Sequence, residues 1–399
     1  MNPSRQTVSP RRQAIRRFAG DHFAVAGTII IALLMAAAIF APLIANGRPL
    51  LMWNKLTGEW SMPFLRYIFA PEGAETTIEM IFNYLLVVAP AALIARFALK
   101  RHRRLRTTVI LIAAILAAIP FFTVRQHQDP TDYRRAAAAL PPGSIAIFAP
   151  IPYGPSELVS TPYSPPDRAH IFGCDQNGRS VASRMLYGGR VSLAVGLGAT
   201  LLALTIGTVF GLYCGYFGGA IDLAMMRFAE IVLCFPTFLL LLILMVLFKD
   251  WKFDQSVLVV ISVIGFTGWI GVCFIVRGEV LKQREMTYIQ SCFSAGLSTT
   301  RILFVHLLPN IAAPLLVTFT FSVAGAIIAE SSLSFLGFGV QPPTASWGNL
   351  LRQAYDNPFE YWHLTLIPGA ALFIAVCAFN FAGEGLRLFF DPKSGKSNR

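Results

Sequence analysis

Residues 290–309 read QSCFSAGLSTTRILFVHLLP, a polar stretch with a glycine near its middle, set between apolar runs at 256–276 and 311–330. A helix needs about 20 apolar residues to cross the hydrocarbon core of a bilayer, and both flanking runs meet or nearly meet that length. The stretch joins two spans and must face something other than lipid. Ser298, Thr299 and Thr300 follow Gly296, and Ser and Thr are helix-capping types. Two short helices joined at a Gly–Ser–Thr turn are therefore expected over 278–309, projecting as a knob. Glycine there lets the chain turn sharply or lets a partner come close. Pro309 marks the return to the membrane, because its ring disfavours helix at the residue before it. An amphipathic connector lying on the bilayer fits the same spacing.

The rest of the chain belongs to the same environment. Of 399 residues, 55% are hydrophobic and only 14% charged, and the mean hydropathy is +0.59; soluble domains carry about 25% charged residues. Candidate spans lie near 24–45, 78–99, 107–124, 191–214, 227–248, 256–276, 311–330 and 364–388. The 107–124 stretch is short, and 78–99 contains Glu79, Asn83, Pro90 and Arg96. Both reach across if flanking side chains snorkel.

Lys and Arg collect on cytoplasmic segments. Arg5, Arg11, Arg12, Arg16 and Arg17 place the N-terminus inside. Eight spans then put KRHRRLR (100–106), the 277–310 segment and the tail with Lys393, Lys396 and Arg399 inside as well. The external segment 125–190 carries seven Lys/Arg, but segments longer than about 60 residues escape the rule. The net charge of +12 is thus topological rather than a nucleic-acid footprint. The first apolar run exceeds a signal-peptide core and ends in no A-x-A site, so it reads as a retained span. The six cysteines show no paired spacing and read as small packing residues.

Enzymatic and metal chemistry find no constellation. The sequence contains no G-x-x-x-x-G-K-[ST] loop, no H-E-x-x-H and no G-x-S-x-G, and its six histidines are scattered. A stand-alone channel or ion-coupled transporter would show inverted repeats with buried acids near the midplane, and only Glu330 comes near, at one edge. That acid ends the seventh span. Two readings fit it: a helix-end carboxylate accepting bonds from the next turn, or part of a translocation path or gate with Ser331, Ser334 and Trp347. Arg277 reads as snorkelling at the cytoplasmic end of the sixth span. Arg179, Arg184 and Arg190 read as one face of an external interfacial helix meeting anionic headgroups.

Several stretches resemble one family. REMTYIQSCFSAGLSTTRILFVHLLPN (284–310) is similar to the coupling loop of ABC importer permeases, E-A-A, three residues, G, nine residues, I, one residue, L-P. Gln290, Ser291 and Cys292 occupy the E-A-A positions, His306 the isoleucine, and Gly296, Leu308 and Pro309 are kept. FGCDQNGRSVASRMLYGGRVSLAVG (172–196), AESSLSFLGFGVQPPTASWGNLL (329–351) and FNFAGEGLRLFFDP (379–392) resemble boxes of the dipeptide/oligopeptide/nickel permeases, second or C-type subunit. NGRPLLMWNKLTGEWSMPFLRY (46–67) resembles a subgroup with an enlarged external loop, associated with microcin-like peptides. The 78–124 hairpin matches nothing in the family; it reads as a peripheral pair on lipid or as a scaffold docking a partner.

The resemblance implies an all-α polytopic membrane protein with the type I ABC importer transmembrane fold, about eight spans in a bacterial cytoplasmic (inner) membrane. The expected organisation is a basic N-terminus (1–23), a first span (24–45), an external segment (46–77), the extra hairpin (78–124), a second external segment with an interfacial helix (125–190), a permease core (191–392) holding the coupling loop 278–310, and a tail (393–399). It further implies a heterodimer with a homologous permease, one or two P-loop ATPase subunits that bind ATP and Mg, and an extracytoplasmic peptide-binding protein. No cofactor is expected on this chain. Coupling would fall to Glu285, Gln290, Ser291, Cys292, Ala295, Gly296, Leu297, Ser298 and Arg301, with Glu285 a stand-in for the acid missing at Gln290.

Overall fold

The computed structural model describes residues 10–71, 75–98, 103–123, 131–249 and 256–390. Arg5, the start of the basic run at 100–102 and the tail from 391 lie outside the described residues. In chain order the helices are α1 (Pro10–Gly20), α2 (His22–Ile39), α3 (Ala41–Ile44), α4 (Pro63–Phe69), α5 (Thr76–Ala98), α6 (Arg103–Thr123), α7 (Tyr133–Ala138), α8 (Val181–Phe217), α9 (Gly219–Leu233), α10 (Thr237–Lys249), α11 (Ser256–Arg284), α12 (Thr287–Ser294) and α13 (Thr299–Arg301). A π-helical turn (Ile302–Leu307) follows, then α14 (Leu308–Asn310), α15 (Ala312–Leu336), α16 (Trp347–Arg352) and α17 (Trp362–Phe390).

Six of these, α2, α5, α8, α11, α15 and α17, are long and apolar enough to cross a membrane, and α6 is a shorter apolar helix. The fold is all-α and polytopic. The stretch read as one span at 227–248 is instead two helices, α9 and α10, meeting at an 83° bend. Pro236 supplies the reason: it has no N–H for the ladder and its ring crowds the preceding turn. Hydropathy reports only that both arms are greasy.

Outside the spans a small antiparallel sheet forms from β1 (Leu51–Trp53), β2 (Trp60–Ser61) and β3 (Ile145–Ile147), in the order β2-β1-β3. Met52 faces Ser61 and Ala146. Strands of two and three residues carry no period that a sequence can display.

α8 has 37 residues, about 55 Å at 1.5 Å per residue, so it outruns the hydrocarbon. It packs along α11 through Gly207, Gly211 and Gly215, one turn apart. A Cβ on these three would stand 2.5 Å from Trp269 O, 2.6 Å from Val276 Cβ and 2.7 Å from Val280 Cβ. Small residues at a helix crossing let backbones approach, which in lipid is the main source of association energy. Elsewhere the helices leave large apolar side chains exposed, such as Leu201 of α8 and Leu366 and Phe373 of α17, as a lipid-facing protein must.

The first turns of α8 overturn the reading of Arg179, Arg184 and Arg190. None of the three faces headgroups: Arg184 and Arg190 are each 1% exposed and Arg179 is 5% exposed. Nor is there a separate interfacial helix ahead of 191, because α8 runs unbroken from Val181. Asp175 receives Arg179 Nε at 2.8 Å and lies 3.2 Å from Arg184 Nε. Arg184 Nη1 donates to the carbonyls of Pro155 and Pro343. Arg190 Nε and Nη2 donate to Ala38 O and Ile39 O at 2.6 and 3.1 Å, and Nη1 to Asn83 Oδ1 at 2.9 Å.

Those two carbonyls belong to the last turn of α2, which has no intrahelical donors left for them. A guanidinium there satisfies them and meets the negative end of the helix dipole. Asn83 of α5 completes the junction by donating to Ile68 O at 3.0 Å, and Glu75 Oε1 accepts from Val257 N at 3.1 Å. The extra hairpin is thus bonded into the core through α5, while α6 keeps Leu111, Ile115 and Leu116 exposed on its outer side. Arg190→Lys keeps the charge but cannot reach three acceptors in fork geometry. It is expected to lower stability by about 1–3 kcal/mol, read as a fall in thermal midpoint in detergent.

Candidate functional site

The segment between α11 and α15 is rooted before it projects. Ile289, Ile302, Leu303 and Leu307 are fully buried and pack with Leu212 and Tyr216 of α8 and Val272, Val276 and Val280 of α11. Phe293 stacks on Tyr216 with ring centroids 5.6 Å apart. Asn310 Nδ2 closes the base by donating to Tyr288 Oη at 3.2 Å and His306 O at 2.7 Å. Motion of this segment is therefore tied to the ends of α8 and α11.

α12 ends as a Schellman motif. Leu297 N donates to Cys292 O at 3.2 Å and Gly296 N to Phe293 O at 2.9 Å, with Gly296 at φ +68°. Left-handed φ at this cap is why glycine stands here. A Cβ on Gly296 would meet nothing within 4 Å, so the glycine relieves backbone strain rather than crowding. Cys292 and Leu297 turn inward onto the buried cluster, the apolar contact such caps commonly make. Ser298 holds the N-cap position of α13 in extended conformation, without a side-chain cap bond.

The side chains of Gln290, Ser291, Ser294, Ala295, Ser298 and Arg301 are left on the outer surface with Gly296 between them. This face carries little charge, in contrast to an ordinary solvated helix face. Glu285 is exposed and lies 3.4 Å from Arg284, while Gln290 Nε2 reaches only the Glu285 backbone carbonyl at 3.4 Å. The return is not a simple break at Pro309. Leu308 N donates to Leu303 O, five residues back, so the helix widens into π spacing ahead of a residue with no N–H.

On the opposite side of the bundle, the sequence-singled Glu330, Ser331, Ser334 and Trp347 come together, but as a closed knot. Glu330 is wholly buried; its Oε2 accepts from Ser192 Oγ at 3.0 Å and Ser331 Oγ at 3.3 Å, and Oε1 accepts from Ser334 Oγ at 2.7 Å. Trp347 is 3% exposed, donates Nε1–H to Met185 O at 3.1 Å and sends its backbone N–H to Ser192 Oγ at 3.3 Å. In this structure Glu330 and Trp347 do not line an open mouth. Ser334 borders a cavity of about 750 Å³ together with Tyr163, Arg179, Arg184, Asn349 and Arg352. Ser192 was not singled out from the sequence; its signal is the i, i+4 run of small residues on α8, Gly188, Ser192 and Gly196.

Hydroxyl donors hold the Glu330 carboxyl from three sides. Glu330→Gln keeps acceptor and shape, and a loss of no more than about 1 kcal/mol is expected; Glu330→Leu strands the hydroxyls, each at a cost of about 1–3 kcal/mol. Thermal unfolding of both variants in the same detergent separates the two outcomes. Arg277 gains a partner: its Nε and Nη2 each lie 2.5 Å from an oxygen of Asp222, a bidentate pair fastening α9 to α11.

A profile described as the binding-protein-dependent transport system inner membrane component matches residues 207–396, and one for the N-terminal TM domain of oligopeptide transport permease C matches 9–54. The oligopeptide transport system permease protein OppC of Bacillus subtilis is 37% identical over 257 residues, covering 63% of this chain and 82% of that protein. The dipeptide transport system permease protein DppC of the same organism is 39% identical over 230 residues, 57% and 70% of the two chains. The glutathione transport system permease protein GsiD of Pectobacterium atrosepticum is 36% identical over 228 residues, 57% and 74%. The chain belongs to the binding-protein-dependent ABC transport permeases, in the branch of oligopeptide and dipeptide C-type subunits. It is a multi-pass membrane protein, and the stand-alone channel reading is not favoured. Residues 55–206 fall outside both matched profiles.

Proposed function

We propose that this chain forms half of a translocation path for peptides or peptide-like solutes, pairing with a homologous permease, and that it takes its driving force from separate P-loop ATPases seated on the α12–Gly296–α13 knob. ATP and Mg bind on those subunits; cargo arrives from an extracytoplasmic binding protein. Both termini and the knob lie on the cytoplasmic side. One observation carries the reading: a weakly charged outer face, held by a Schellman cap, stands on buried residues that also pack the ends of α8 and α11. A protein groove closing on that face moves two spans as levers, a rigid-body switch between access states. Glu285 and Arg301 at its rim are suited to polar contacts with the ATPase, and Gln290 makes neutral ones.

The test is affinity purification of the full chain in mild detergent with mass spectrometry of every co-purifying protein. A homologous permease and one or two P-loop ATPases are expected. Recovery of the chain alone, under conditions that keep known ABC complexes intact, overturns the proposal.

A further inference from the structure

One apolar surface lies apart from the knob and from the Glu330 knot. Leu56, Trp60, Met62 and Leu65 are 81%, 60%, 51% and 45% exposed, and Lys55 and Arg66 are exposed beside them. All six come from the β1–β2 hairpin and α4. Their level in the bilayer is set by the other face of α4. There Phe64 and Ile68 pack with Leu86 of α5, with Ile39 and Phe40 at the end of α2, and with Phe121 near the end of α6. Phe69 meets Phe121 edge-on at 5.2 Å. α4 thus packs on the ends of α2 and α6 and on the middle of α5, so it lies against three membrane helices at once.

We infer that α4 and the β1–β2 hairpin form an interfacial anchor that binds phospholipid, with Leu65, Met62 and Trp60 in the upper acyl region and Lys55 and Arg66 at headgroup phosphates. Three further observations carry this occupant over a protein partner. Trp60 stacks on Trp53 with centroids 5.9 Å apart, and indole rings favour the membrane–water boundary. Through the Phe69–Phe121 contact α4 is joined to α6, whose Leu111, Ile115, Leu116 and Ile119 are exposed and apolar, as a lipid-facing side would be. Its rim carries Lys55 and Arg66 against the one exposed acid of the hairpin, Glu59, and both long basic side chains can snorkel to headgroup phosphates. The element lies almost wholly in the part of the chain outside the family profiles, so the anchor goes with the enlarged external region. Which leaflet it enters, and only that, rests on the orientation proposed above.

The test places a nitroxide at Leu65→Cys and at Leu56→Cys in the full chain carrying Cys234→Ser, Cys292→Ser and Cys377→Ser, since the remaining cysteines are buried. Ile115→Cys on α6 serves as the lipid-facing reference. Arg135→Cys, at a side chain 90% exposed, serves as the aqueous one. In nanodiscs of phosphatidylcholine and phosphatidylglycerol, collision with oxygen is compared with collision with a water-soluble nickel chelate. The oxygen-to-nickel ratio at Leu65 is expected close to that at Ile115 and well above that at Arg135, with Leu56 between them. A ratio at Leu65 equal to the aqueous reference overturns the inference, and so does shielding from both reagents, which would mean a protein covers the patch. Neither failure touches the knob, whose test is the recovery of ATPases.

Discussion

Gly296→Trp is expected to abolish ATP-coupled peptide uptake while leaving the chain folded and inserted. The indole would emerge at the centre of the outer face, between Ala295 and Ser298, where a Cβ meets nothing of this chain within 4 Å. Nothing inside the molecule is displaced; what is obstructed is whatever docks there. Central interface positions commonly carry about 2 kcal/mol or more, and that loss alone lowers assembly roughly thirtyfold at a given concentration. Backbone strain is a second effect, because φ +68° costs an L-residue about 1–2 kcal/mol. Gly296→Ala carries that strain with almost no bulk and separates the two contributions. Uptake of labelled peptide into proteoliposomes, normalised to folded chain, is the measurement. A Trp variant that transports like the wild type removes the knob from the coupling path; an Ala variant as inactive as Trp assigns the effect to the turn rather than the docking face.

The second large effect lies where nothing docks. Gly211→Leu is expected to prevent α8 and α11 from closing, since even its Cβ would stand 2.6 Å from Val276 Cβ and 2.8 Å from Cys273 O. The second of these atoms is backbone and cannot rotate away. Overpacking a close crossing costs about 1–3 kcal/mol before the neighbouring Gly207 and Gly215 contacts are forced apart as well. We expect a total of about 3 kcal/mol or more, seen as low folded yield and a depressed midpoint in denaturant–detergent titration. Gly271→Leu is the comparison: it lies on α11, yet its Cβ would meet nothing within 4 Å, and the variant should stay near the wild-type midpoint. Equal midpoints for the two variants would show that close approach is not what holds this pair.

The knob between α11 and α15 was legible because its determinants are local. A glycine between a short helix and a run of Ser and Thr specifies a cap from neighbours within six residues, and the spacing to Leu308 and Pro309 repeats a family pattern. The spans were legible for the same kind of reason, since length and composition decide whether a segment crosses lipid. Polar residues inside or beside those spans were not. Arg190 has a sequence reading in which the side chain escapes to headgroups, and Asn83 and the end of α2 decide otherwise; Arg277 and Glu330 each gain a partner far along the chain that no local pattern names, Asp222 and Ser192.

By itself, then, the sequence determined that the chain lives in a membrane, where its apolar stretches lie, and where a polar cap projects, because hydrophobic length and capping chemistry act over one or two turns. The tertiary structure alone decided that the greasy run at 227–248 bends by 83° and that the extra hairpin is bonded to the core through Asn83, with Glu75 just ahead of it bonded to α11. It also decided that Arg179, Arg184 and Arg190 are buried on Asp175, on loop carbonyls and on the end of α2 instead of meeting headgroups, while α4 carries the exposed apolar patch. The physical reason is burial. A charge or amide removed from water must find its partner inside the fold, and that partner is chosen by packing between segments, not by their order in the chain.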